Sequence, residues 1–145
     1  VTWPTPAPGL VIRYAYLWEE AARAGREEGE KDRPCAVLLV HREEDGRIRV
    51  YALPITHSAP AEPGDGIEIP TVVKEHLGLD DARSWVILTE ANVFYWPGPD
   101  LRFPREKGPA GAAYGFLPPK LFRTIRDRFL ELRKQRRAQL VSRSE

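Results

Sequence analysis

The chain has 145 residues, 22 basic and 21 acidic, for a net charge of +1. That length predicts one domain that buries about 70% of the surface of its unfolded form. A charge so near zero excludes whole-chain attraction to nucleic acid as an argument, so only local clusters of charge can speak for it.

Residues 10–17, LVIRYAYL after Pro8-Gly9, are β-branched and aromatic and predict an opening strand. Residues 18–32 are polar and punctuated by glycine. They predict a surface loop with one helical turn over 19–23. Arg33-Pro34 then leads into CAVLLV, an uncharged run that predicts a strand buried on both faces. The single cysteine, Cys35, lies inside that run, where it reads as a buried thiol that cannot form an internal disulfide. Asp45-Gly46 marks a hairpin turn, and residues 47–56 return with Ile48, Val50 and Ala52 alternating against Arg47, Arg49 and Tyr51.

Residues 60–66 form a turn cluster, 66–70 a short strand, and 71–77 a connector helix stopped by Gly78. Residues 84–96 predict two further strands with a bend near 90–92, and 97–115 a long irregular segment. Pro118-Pro119 opens a helix with Leu121, Phe122, Ile125, Phe129 and Leu132 at helical spacing. That helix is expected to continue as a basic extension over about 133–145, where residues 133–143 hold five cations and no anion. Such a run reads as a solvated helix face or as a nucleic-acid contact. Short strands, a hairpin and a closing helix together predict a mainly β fold with α: a small, strongly bent antiparallel barrel carrying helices outside. No stretch reaches the roughly 20 apolar residues of a membrane span, and residues 1–9 lack a signal-peptide pattern. A cytoplasmic protein with no membrane contact is expected.

The chemistry centres on Arg33. Proline at 34 holds it extended, so the guanidinium sits in a set position where the chain enters the buried strand. A desolvated charge needs a partner there, either a carboxylate (Asp32, Glu90 or a loop glutamate) or an anionic ligand. Pairing about the Asp45-Gly46 turn brings Pro34 near His57 and Arg33 near Ser58 or Thr56. Two hydroxyls, an imidazole and a planar cation suit a phosphodiester. The same Thr-His-Ser also reads as a turn whose hydroxyls bond nearby backbone. His41, His76 and Cys35 make no ligand spacing, so no metal site is expected.

The ordered set Pro8-Gly9, Arg33-Pro34, Leu53-Pro54-Ile55-Thr56 and Leu117-Pro118 resembles the MazF/PemK/Kid toxins of type II toxin-antitoxin systems over most of the chain. The resemblance implies a single domain, an SH3-like barrel of the CcdB/MazF/Kid type and a homodimer. It further implies a growth-inhibiting endoribonuclease that cleaves single-stranded mRNA by 2′-hydroxyl attack, without metal or other cofactor, and a cognate antitoxin protein as partner. Arg33 and Thr56 match the family's positions around the scissile phosphate, and Glu90 resembles an acidic residue some members carry there. Residues 18–32 lack the histidine or serine that some members place in this loop, which leaves His57 or Glu90 as proton acceptor. Trp18, Lys31, Tyr51 and Ser58 are the expected RNA contacts, the aromatics by stacking on unpaired bases. A non-catalytic SH3-like or CcdB-like protein-binding module is the alternative.

Overall fold

The computed structural model describes residues 2–27, 29 and 31–143, which form eight strands and three α-helices. In chain order they are β1 (Leu10–Tyr14), α1 (Glu19–Arg23), β2 (Arg33–Arg42), β3 (Ile48–Thr56), β4 (Gly66–Glu68) and α2 (Thr71–Leu77). These are followed by β5 (Trp85–Ile87), β6 (Glu90–Trp96), β7 (Ala113–Phe116), α3 (Pro119–Lys134) and β8 (Gln139–Ser142). No helix among the described residues is long and apolar enough to cross a membrane.

The strands pair in the order β4-β5-β3-β2-β1-β7, while β6 pairs with β3 and β8. Every pairing is antiparallel except that of β6 with β8. The fold is therefore mainly β with a C-terminal helix, built on a sheet whose described pairings stay open. Its bend comes from β3, whose outer edge is shared: residues 48–52 pair with β6 and residues 55–56 with β5. Pro54, which has no amide to donate, falls between those two ladders.

The uncharged run in β2 is buried on both faces from Cys35 to Leu38, whereas Leu39, beyond that stretch, is exposed and Val40 half-buried. Ala36 and Leu38 join a core with Leu53, Ile55 and the α3 stripe of Ile125, Phe129 and Leu132. Cys35 and Val37 join a second core with Ile12, Tyr14, Tyr16 and Phe94. Two apolar layers on one strand explain why it reads as continuous rather than alternating. The α3 stripe thus packs on the sheet of its own chain.

The hairpin register shifts between Val37 and Leu39, where β2 carries a bulge. Beyond it Cys35 pairs with Pro54. The ladder stops there, and its register continued by two residues points Arg33 at Thr56 and not at Ser58.

Two segments depart from expectation. The irregular stretch after β6 ends in β7, which pairs with β1, and on the way Leu101 bridges to Tyr14. The expected basic helical extension is not formed: α3 ends at Lys134, Arg136 takes a left-handed φ of 58°, and the chain reverses into β8. Burial explains the reversal. Ala138 and Val141 are core residues, Arg133 donates to the Ala138 carbonyl at 2.8 Å, and Arg137 pairs with Asp65. Arg143 is sealed in the interior: its side chain is 1% exposed, it pairs with Asp100 at 3.0 Å, and it donates to Ala15 O at 2.7 Å and Asn92 Oδ1 at 3.1 Å.

Candidate functional site

β2 begins at Arg33 and β3 ends at Thr56, so both side chains emerge at one end of the sheet. The turn after β3, the connector between α2 and β5 and the start of β6 wall this end into an open cleft of about 970 Å³. Arg33, Thr56, His57, Ser58 and Glu90 line it. Trp18 and Lys31 line it as well, from the segment that precedes β2. Tyr51 does not: it lies mid-strand between Leu39 and Val93, in a separate groove with Arg49 and Leu140.

Arg33 has no ion pair among the described residues. Its expected partners are engaged elsewhere: Asp32 pairs with Arg102 at 3.3 Å, and Glu90 is held by donors described below. The loop residues Glu28 and Glu30 lie outside the described residues. What supports the guanidinium is the indole of Trp18, whose ring centroid lies 5.0 Å from Cζ. Nε of Arg33 is shut off from solvent and has no hydrogen-bond partner among the described residues. A buried donor without an acceptor costs about 1–3 kcal/mol and is rare in folded proteins. The charge of the group is likewise left without a counter-ion among the described residues, and an anion in the cleft that Arg33 lines would supply one.

Glu90 opens β6 and is partly buried. Its Oε1 accepts from the Tyr16 hydroxyl at 3.0 Å and from the Glu19 amide at 2.8 Å. Burial pushes its carboxyl above the usual range, with those two bonds pulling the other way. Tyr16 stays a donor, since burial and the neighbouring Glu90 charge push the phenol well upward. Thr56 Oγ1 accepts from the Ser58 amide at 3.3 Å. The turn expected of this sequence is therefore present, and it leaves the hydroxyl proton free to be donated. His57 stands at the rim with Nε2 2.9 Å from an oxygen of Asp80. That carboxylate also accepts the Ala82 amide at 3.1 Å, which ties the ring to the connector after α2.

Among the cleft residues not singled out in the sequence are Arg13, Tyr114 and Asp80. Arg13 is the polar residue of an otherwise buried β1, a pattern that signals exposure but not a site. Tyr114 belongs to β7, whose pairing is wholly non-local, and Asp80 sits in a polar connector without a motif. No three His, Cys, Asp or Glu residues among those described gather where they would hold a metal ion. Compared with known families, curated proteins and solved structures, the chain matches no family model, no curated protein and no solved structure.

Proposed function

We propose that the protein is a metal-independent endoribonuclease of the MazF/PemK/Kid kind, the toxin of a type II toxin-antitoxin system acting on single-stranded mRNA. The observation that carries this reading is the Arg33 guanidinium, held by Trp18 at a cleft and unpaired by any described carboxylate. Around it stand the groups that transesterification of RNA requires. The 2′-oxygen attacks the adjacent phosphorus while Glu90 takes its proton. A carboxylate whose pKa burial has raised is a better base than an exposed one. The bond to the 5′-oxygen breaks as that oxygen takes a proton from His57, which Asp80 orients. The products are a 2′,3′-cyclic phosphate and a free 5′-hydroxyl. Arg33 and Thr56 stabilise the charge that builds on the non-bridging oxygens. In this reading the fold is a variant of the SH3-like barrel, the molecule is a cytoplasmic homodimer, and an antitoxin protein covers the cleft.

The test is cleavage of single-stranded RNA by purified protein in excess chelator. Arg33→Ala and Thr56→Ala each lower the rate by about 10²- to 10³-fold, the usual effect of removing one electrostatic donor, while the melting temperature stays nearly unchanged. Cleavage that survives both substitutions refutes the site. A wild-type protein that cleaves no RNA refutes the nuclease and leaves the protein-binding module.

A further inference from the structure

The acids and bases of the cleft are not treated alike. Every described carboxylate lining it is already engaged: Asp32 by Arg102, Asp65 by Arg137, Asp80 by His57, and Glu90 by Tyr16 and the Glu19 amide. Arg13, Lys31 and Arg33 line the same cleft, and none of the three has an ion pair among the described residues. Glu90 is held by neutral donors and keeps its charge when ionised, so three cations without an ion pair face one such carboxylate, an excess of positive charge that one phosphodiester does not exhaust.

Arg13 is the best placed of the other two. Its Nε donates to the Gly111 carbonyl at 3.0 Å and Nη1 to the Tyr114 hydroxyl at 2.8 Å, and Cζ lies 4.0 Å from the Tyr114 ring centroid. The head is thus fixed by neutral acceptors that leave its charge unspent. Arg13 pairs with Pro34, and the next residue, Tyr14, pairs with Arg33. Strand alternation puts Arg13 and Arg33 on opposite faces of the sheet, so the cleft that both line wraps the strand ends. One guanidinium on each face suits successive phosphates of a chain better than two oxygens of a single phosphate. Each is also stacked on an aromatic ring, Arg33 on Trp18 and Arg13 on Tyr114.

We infer that Arg13 and Tyr114 form a second nucleotide subsite, in which Arg13 holds a phosphate neighbouring the one at Arg33 and the Tyr114 side chain supports the adjoining base. The inference rests on the proposed RNA substrate, but it concerns binding and not cleavage. Arg13 here is a positioning residue for the chain and takes no part in bond making.

A labelled 2′-O-methyl octanucleotide of randomised sequence, which cannot be cleaved, separates the two questions by fluorescence anisotropy. Arg13→Gln weakens its binding about tenfold or more, the worth of a charged hydrogen bond. The same change lowers the slope of log affinity against log salt by about 0.7, the contribution of one phosphate contact on a single strand. Competition by a dinucleoside monophosphate, which brings only one phosphate, is unchanged by Arg13→Gln and weakened by Arg33→Ala. Arg13→Lys restores the salt slope, which a merely structural loss of the Gly111 and Tyr114 bonds would not. An octanucleotide affinity and slope untouched by Arg13→Gln overturn the subsite while leaving the nuclease standing, as does equal weakening of both probes. Failure of the wild-type protein to bind the octanucleotide overturns it outright. Binding that needs Arg13 in a protein that cleaves no RNA keeps the subsite and removes the nuclease.

Discussion

Replacing Arg33 with methionine is expected to make the protein more stable and less active. Methionine keeps an unbranched stem beside the Trp18 indole, so the packing of the aliphatic part survives. Two terms then compete. Removing a buried Nε that has no acceptor relieves about 1–3 kcal/mol of unmet desolvation. Losing the cation over the indole costs about 0.5–1 kcal/mol. No described carboxylate is left stranded, because Asp32 and Glu90 keep their own partners. The balance is a gain of about 1 kcal/mol, or roughly 4 °C in Tm for a chain of this size. Urea denaturation at neutral pH reads it as a higher midpoint at unchanged m-value, and the same sample loses RNA cleavage at least a hundredfold. Stability bought at the expense of activity is the mark of a residue kept for function. A loss of more than about 1 kcal/mol would show that the guanidinium has a structural partner in the folded state, and the argument for an anion in the cleft would fall.

Arg143 should behave in the opposite way. Arg143→Ala leaves the Asp100 carboxylate and the Ala15 carbonyl without this partner, while Asn92 Oδ1 keeps the Leu17 amide, at a cost of about 3–5 kcal/mol and about 10 °C or more in Tm. A loss below about 1 kcal/mol in guanidinium unfolding would mean that water enters that site. Glu90→Gln tests the raised carboxyl. Because burial lifts the folded-state pKa of Glu90 above its unfolded value, its contribution to stability is complete below the unfolded pKa and is lost as pH rises through the folded one. Glutamine keeps an oxygen for Tyr16 and the Glu19 amide and has no such loss, so the variant equals or exceeds the wild type in stability at neutral pH. Its cleavage rate falls, and the acid limb of the pH-rate profile, set above the ordinary carboxylate range in the wild type, disappears. A variant that is less stable than the wild type at pH 7, or that keeps the acid limb, contradicts the assignment.

Local signals in the sequence reach some elements and not others. α2 and its stop were legible because Gly78, with φ of 73°, supplies the left-handed residue that ends the helix. The hairpin was legible from Asp45-Gly46 and the alternation after it, but its register was not. The bulge between Val37 and Leu39 lies in a run of similar apolar side chains, and nothing in that run says which residue is extra. β7 and β8 escaped because each is four residues long and owes its conformation to a distant partner, β1 for one and β6 for the other. Arg143 shows how charge misleads: five cations read as a solvated face, yet the side chain of one of them is 1% exposed and paired in the interior. The candidate site was legible where it rests on the hairpin, since the adjacent ends of β2 and β3 bring Arg33 and Thr56 to one cleft. Tyr51 was separated from the cleft by the same geometry, being five residues back along β3 from Thr56.

β8 has a consequence for the order in which the chain acquires its structure. Its ladder with β6 is parallel and joins residues 90–93 to residues 139–142, with all of β7 and α3 between them. Such a contact forms late, because its loop must close before the pairing can repay the cost. Until then β6 presents an open edge beside buried Ala91 and Asn92, a template on which a second copy can pair in place of β8. The final strand therefore acts as a shield for the sheet during folding, and its failure would appear as association between copies before any loss of helix or strand.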